Sequence, residues 1–376
     1  MTTKNISRRT ALASLVAAGA VRGSQANSAV AVGVIGTGNR GTFVGSMMAK
    51  HTPARITAVC DLFPEKMEQA RKAMGAEQAQ MYKDFRQMLE SKDVDAVLIA
   101  TPVFLHAEHF EAAVKSGKHI YIEKPAAADV AGCKRIMRAA DAADRKVNIT
   151  FGFQRRYAQT YQKAKSLADS GAVGEIHLGF ARFIKSDGDP AGEARRPAPR
   201  TDIEKVQQWG EWKDLSGDLI VENNVHSIDV LNWFLGGRPL SAIGSGGSKT
   251  RRQGDMRDHN FVAFDYGKGV EGQLSGMTLA PPGYRDVVEQ FFGAKGVIET
   301  SENHWRHFRG RGQETVEQSP RNITIDSVAA FVERIRTGKP ENTGVRGAES
   351  SLTAILGRMA MDARRVVTWE EMMKSA

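Results

Sequence analysis

The sequence predicts an α/β protein in which an N-terminal doubly wound parallel sheet precedes an α+β domain built on an antiparallel sheet. Three observations carry this. From residue 30 to about 150, near-continuous apolar runs alternate with amphipathic helical patterns, as expected of a parallel sheet covered on both faces. A glycine-rich turn closes the first of these runs and opens a helix. After residue 151, β-like stretches follow one another through Gly- and Pro-rich turns without long helices between them, which favours antiparallel pairing.

In the first half, strands are expected over 30–35, 55–60, 96–100, 119–122 and 147–150. Helices are expected over 41–50, 64–74, 84–90, 105–116 and 129–143, each linking parallel strands by a right-handed crossover. A helix over 158–170 then leads through Gly171 into a long β run, 175–184. The stretch 187–200, rich in Gly, Pro and charge, reads as a long surface loop of the kind that shapes a pocket. One helix is expected over 219–235, stopped by Gly236-Gly237. Strands at 240–245, 259–266, 270–277 and 287–292 and helices at 325–336 and 348–364 complete the chain. The boundaries follow as 27–150 for the first domain and 151–376 for the second, whose last helices can pack back on the first.

The 376 residues suffice for two cores, and 41% hydrophobic with 25% charged residues is ordinary for a globular protein. A net charge of +9 includes Lys4, Arg8, Arg9 and Arg22 of the N-terminal segment, so the rest carries no nucleic-acid signature. That segment, residues 1–26, reads as a twin-arginine export signal. Ser7-Arg8-Arg9 precedes a small-apolar stretch over 11–21, and Ser24-Gln25-Ala26 fits a cleavage site. Periplasmic location follows from this reading; a disordered N-terminus on a cytoplasmic protein is the competing one. No later stretch has the roughly 20 apolar residues of a membrane span. Cys60 and Cys133 read as small buried residues. No metal site is expected: His106/His109 and His304/His307 have ligand-like spacing but no fitting carboxylate or cysteine set. Residues 246–250 echo a phosphate loop, but Ser248 stands where glycine must precede the lysine. The basic run 306–311 reads as a solvated hairpin.

Gly36-Thr37-Gly38-Asn39-Arg40-Gly41 is a dinucleotide-binding fingerprint in its required strand–turn–helix context. Gly36 permits the tight turn, Gly38 lets a pyrophosphate approach the backbone, and Gly41 allows close helix–sheet packing. The helix start then offers N–H groups and the positive dipole end to the phosphates. Asp61, closing the second strand, can accept the adenosine ribose hydroxyls and would repel a 2′-phosphate, so NAD is favoured over NADP. Arg40 keeps NADP open.

Two further groups sit at strand ends, where such sheets bind ligands: Thr101-Pro102 and Glu123-Lys124-Pro125. Lys124 there can polarise a substrate oxygen. In the run 222–229, Glu222, His226 and Asp229 share one face of a helix at i, i+4 and i+7, with Asn223 alongside. A histidine flanked by carboxylates suits a general base. Arg155, Arg156, Trp209 and Trp212 can line a sugar pocket through guanidinium forks and aromatic faces; core packing is the competing reading for the tryptophans.

In this order, these segments resemble the Gfo/Idh/MocA family of nicotinamide-dependent sugar oxidoreductases. The resemblance spans nearly all of the chain after the export segment. It includes Ala100-Thr101-Pro102 with His106, Gly117-Lys118-His119 leading to Glu123-Lys124-Pro125, and the run 153–157. It continues through 225–233 and Phe292-Gly293-Ala294-Lys295-Gly296. It implies a Rossmann domain followed by an open-faced antiparallel sheet that covers the nicotinamide and often builds an oligomer interface. It also implies that Lys124 and His226 serve hydride transfer at a sugar carbon, with Thr101, Pro102, His106 and Glu123 around the cofactor. One departure is Glu222, where many members carry aspartate four residues before the histidine.

The expected activity is hydride transfer between NAD and a sugar or sugar derivative. Outside the cytoplasm no pool would reoxidise free cofactor, so a tightly bound, internally recycled cofactor is expected. A glycoside hydrolase working by transient oxidation, elimination, hydration and re-reduction is the second reading. A non-catalytic ligand-binding protein is the third, and the presence of Lys124 and His226 counts against it.

Overall fold

The protein is described by a computed structural model over residues 29–186, 198–250 and 253–376. The export-signal reading and most of the loop at 187–200 lie outside the described residues.

The first sheet contains β1 (Val30–Ile35), β2 (Ala54–Cys60), β3 (Gln80–Tyr82), β4 (Ala96–Ile99), β5 (His119–Ile122) and β6 (Ile149–Phe151). Its spatial order is β3-β2-β1-β4-β5-β6 with every pair parallel. Between the strands run α1 (Asn39–His51), α2 (Pro64–Met74), α3 (Phe85–Glu90), α4 (His106–Ser116) and α5 (Val130–Asp141). The chain reverses direction of winding at β1, which leaves a crevice at the carboxyl ends of β1 and β4. The uniformly apolar strands β1 and β4 are buried along their whole length, as a sheet covered on both faces requires. The sequence reading missed β3, a three-residue edge strand with no apolar run to announce it.

The second half adds α6 (Gln159–Asp169), β7 (Ile176–Lys185), and the short helices α7 (Asp202–Gln207), α8 (Lys213–Ser216) and α9 (Leu219–Glu222). Then come α10 (Val225–Phe234), β8 (Ser241–Gly247), β9 (His259–Gly267), β10 (Val270–Met277), β11 (Arg285–Gly293), β12 (Gly296–Ser301), β13 (His304–Gly310) and β14 (Gln313–Gln318). The chain ends with α11 (Ile323–Thr337), α12 (Gly344–Ala363), β15 (Val367–Thr368) and α13 (Trp369–Lys374). These strands form one nine-stranded sheet, β14-β13-β12-β11-β7-β10-β9-β8-β15. The expected antiparallel sheet is mixed: β7 and β10 pair in parallel, because the helical excursion α7–α10 carries the chain across before it returns. The hairpin β13–β14 contains the basic run, as expected.

The helix expected over 219–235 is interrupted. Asn223 N–H donates to Leu219 O at 3.0 Å, and Asn224 N–H reaches the same carbonyl, five residues back, at 3.2 Å. This one-residue bulge separates α9 from α10 and offsets the helical phase by about 100°. Asn224 Oδ1 accepts from Asn260 Nδ2 at 2.7 Å, anchoring the bulge to β9.

α11 lies against the first sheet. Val328, Phe331 and Val332 are buried among Val32, Val34, Leu98 and Tyr121, and Tyr121 OH lies 2.9 Å from Ser327 Oγ.

Candidate active site

The glycine loop has the shape that a dinucleotide requires. Gly36 has φ +92°, and a Cβ there would meet the Ala100 backbone at 2.7 Å. A Cβ on Gly41 would fall 1.9 Å from Gly36 O, so only glycine lets α1 start this close to β1. A Cβ on Gly38 would meet no protein atom within 4 Å. That open face, beside the free N–H groups at the start of α1, fits a pyrophosphate. Asn39, exposed at the same helix start, borders it. Asp61 stands at the end of β2 as expected, accepting from Thr37 N at 2.8 Å, Thr37 Oγ1 at 3.1 Å and Phe63 N at 3.1 Å.

Lys124 follows β5, and its ammonium donates to Glu222 O and lies 3.3 Å from Glu222 Oε1. The Glu222 carboxylate therefore reaches the lysine despite the residue's departure from aspartate. Asn223 Nδ2 donates to the other oxygen of that carboxylate. His226, on the first turn of α10, is partly buried and sets its ring edge-on to Phe153, 6.3 Å between centroids. Its Nδ1 is buried without a hydrogen-bond partner among the described residues. Burial, and then the charges of Lys124, Arg155, Arg40 and Lys185, hold this imidazole well below its usual pKa. It is therefore neutral near pH 7 and able to accept a proton.

Several predicted contacts fall elsewhere. Asp229 does not flank His226. It is buried and accepts a two-pronged hydrogen bond from Arg156 (2.8–3.0 Å) and another from Ser350 Oγ at 2.7 Å. Arg156, stacked at 5.0 Å over Trp233, is committed to that pair rather than to a substrate. The bulge at Asn223-Asn224 takes Glu222 off the face it was expected to share with His226 and Asp229, which both lie on α10 after it. Arg155 is 1% exposed and belongs to the interior. Its Nη1 donates to Glu289 Oε1 at 2.5 Å and Ser227 Oγ at 2.9 Å. Glu289 also accepts from Tyr161 OH at 3.1 Å and Thr300 Oγ1 at 3.1 Å.

His106 is also structural. Its Nδ1 lies 2.7 Å from Pro125 O and its Nε2 2.9 Å from Thr101 O, so the ring spans two rim turns and leaves no nitrogen for a cofactor. Thr101 Oγ1 lies 3.0 Å from His109 Nδ1, and Pro102 opens the turn at 103–105. Trp212 precedes α8, which packs on that turn; Lys205 covers its ring at 5.0 Å, and its Nε1 is buried without a partner among the described residues. Arg40 points to the strand ends: its Nη2 lies 2.9 Å from Glu123 Oε1 and 3.3 Å from Gln154 Oε1.

Sequence reasoning missed Glu289 and Gln154. The signal for Glu289 was present: Val287, Glu289 and Phe291 share the inward face of β11, so a carboxylate stands in an apolar row. Gln154 was signalled only by its place in the run 153–157, which carries the resemblance without assigning it a role.

Residues 30–151 match the pattern described as "Oxidoreductase family, NAD-binding Rossmann fold", and residues 161–299 match the "GFO/IDH/MocA C-terminal domain". The chain belongs to the Gfo/Idh/MocA family. The myo-inositol 2-dehydrogenase of Thermotoga maritima is 25% identical over 356 residues, covering 90% of this chain and 98% of that protein. The inositol 2-dehydrogenase 3 of Saccharopolyspora erythraea is 37% identical over 272 residues, 72% of each chain. Among solved structures, levoglucosan dehydrogenase in complex with NADH and levoglucosan superposes with a TM-score of 0.76 at 19% identity, covering 90% of this chain and 99% of that one. The aldose-aldose oxidoreductase of Caulobacter crescentus, complexed with glycerol, gives 0.74 at 22% identity, covering 90% and 99%. These two likenesses concern the fold. This Gfo/Idh/MocA protein is an NAD-dependent oxidoreductase, and its glycine loop is built for that cofactor.

Proposed function

We propose that this Gfo/Idh/MocA protein oxidises a secondary hydroxyl of a cyclic polyol or sugar, with His226 as general base and Lys124 beside the reacting oxygen. The observation that carries the reading is His226 on α10, whose Nδ1 is buried without a hydrogen-bond partner among the described residues and whose pKa is held down by burial and then by the charge of Lys124, the ammonium that Glu222 holds at the carboxyl end of β5. A neutral imidazole takes the hydroxyl proton, and the ammonium stabilises the developing alkoxide. When bound, NAD supplies the hydride acceptor. The names of the inositol dehydrogenase relatives support a polyhydroxylated ring as substrate.

The reading extends to the cofactor's fate. With a twin-arginine pattern at Ser7-Arg8-Arg9, the protein is proposed to act in the periplasm with a dinucleotide it carries out and recycles. Mass spectrometry of material released from denatured, purified protein should find NAD(H). A panel of inositols, aldoses and sugar glycosides should then show turnover by the exchange of bound NADH absorbance. Lys124→Met should lower kcat by about 10²–10⁴-fold without changing the melting temperature. Empty protein that turns over only with added NAD would sink the recycling part. Release of the aglycone from a chromogenic glycoside without net NADH would assign hydrolysis instead.

A further inference from the structure

Arg40 is the fifth residue of the fingerprint, yet its guanidinium turns away from Asp61 and the adenosine side of the loop. It crosses from the first turn of α1 to the carboxyl ends of β5 and β6, meeting Glu123 at 2.9 Å and Gln154 at 3.3 Å. In the sheet order, β4 lies between β1 and β5, so the side chain spans the end of that strand. Its two partners are each next to a residue tied to the reacting groups. Glu123 precedes Lys124, and Gln154 precedes Arg155, which binds Ser227 beside His226. Glu123 is 3% exposed, and its Oε2 has no hydrogen-bond partner, so the ion pair with Arg40 is what compensates its charge among the described residues. Gly152 leaves no slack behind it, since a Cβ there would lie 2.9 Å from the carboxyl carbon.

We propose that Arg40 is a positioning residue that couples the cofactor loop to the placement of Lys124, and that it does not read a 2′-phosphate. The same side chain seats the nicotinamide half of the dinucleotide, because that half must run from the glycine loop toward the ends of β4 and β5. The assignment rests on the proposed roles of Lys124 and His226, but its first test needs no substrate.

Arg40→Met, Arg40→Lys and the double variant Arg40→Met/Glu123→Gln are compared with the full chain. NADH and NADPH are titrated into stripped protein by energy transfer from tryptophan, alongside thermal melts by circular dichroism. Arg40→Met should weaken NADH and NADPH binding alike, about tenfold each, so that the ratio of the two affinities stays where it was, and should be partly rescued by Arg40→Lys. With an active substrate, kcat should fall on the order of 10–100-fold while KM for the polyol stays within about twofold. Should Arg40→Met fail to fold, the double variant removes the orphaned carboxylate; it should melt near the wild type yet keep the weakened NADH binding. Wild-type NADH affinity in either Met variant overturns the proposal. So does a loss confined to NADPH, which would make Arg40 a phosphate reader. Absence of turnover on every sugar would count against the proposed activity while leaving the NADH titrations interpretable.

Discussion

Lys124 and His226 come from different halves of the chain, and their neighbourhood sets what each can do. Burial disfavours the charged form of the imidazole most, and the charges of Lys124, Arg155, Arg40 and Lys185 add to it. The consequence has a definite sign. Lowering a base's pKa keeps it competent to lower pH, so the acid limb of kcat/KM should fall below the ordinary imidazole value of about 6.5. Lys185→Met removes one of the cations and should move that limb upward. The same depression affects stability: below about 6.5 the unfolded chain takes up a proton that the native ring refuses. Stability therefore falls as pH drops from there toward the native pKa. A pH–rate profile with its acid limb at or above 6.5 would show that the ring is not the neutral base.

At the scale of elements, the glycine loop separates two roles that the fingerprint merges. Gly38 has φ −68° and an open Cβ direction, so Gly38→Ala should fold normally yet lose NADH affinity by tenfold or more, roughly the effect of one misplaced phosphate contact. Gly41→Ala puts a methyl 1.9 Å from Gly36 O and should destabilise the protein by about 3 kcal/mol. Equal melting temperatures for the two variants would contradict this division. The same elements show what was legible in advance. β1, β5 and α2 matched their expected bounds because continuous apolar runs or clean caps delimit them, and β10, which alternates buried and more open positions, because the turn at Gly267-Lys268-Gly269 fixes its start. The fingerprint, Asp61 and Lys124 were legible because strand ends fix where their side chains go. What misled was treating 219–235 as one ideal helix. Periodicity carries no trace of the bulge at Asn223-Asn224, which depends on Asn260 of a distant strand. Arg155 and Arg156 misled for a related reason: their carboxylate partners, Glu289 and Asp229, lie 134 and 73 residues away.

On the scale of the molecule, the two sheets share a core more than the sequence division at residue 150 suggests. One apolar cluster runs from Ile35 and Ile99 through Phe151 to Phe264, Leu352 and Trp369. A second is completed from outside, since α11 places Phe331 edge-on to Tyr121 at 5.5 Å and buries it fully beneath the first sheet. Residues 30–151 therefore lack part of their own core until the last helices arrive, which argues that both halves unfold together. All five tryptophans, Trp209, Trp212, Trp233, Trp305 and Trp369, lie beyond residue 151, so their fluorescence reports only the second half. Far-UV circular dichroism reports both. Phe331→Ala should cost about 3–5 kcal/mol at the junction. If the halves form one cooperative unit, the fluorescence and dichroism midpoints in urea should coincide in the wild type and fall together in the variant. A fluorescence midpoint that stays in place while dichroism splits into two transitions would mean that the first sheet unfolds by itself and that α11 merely rests on it.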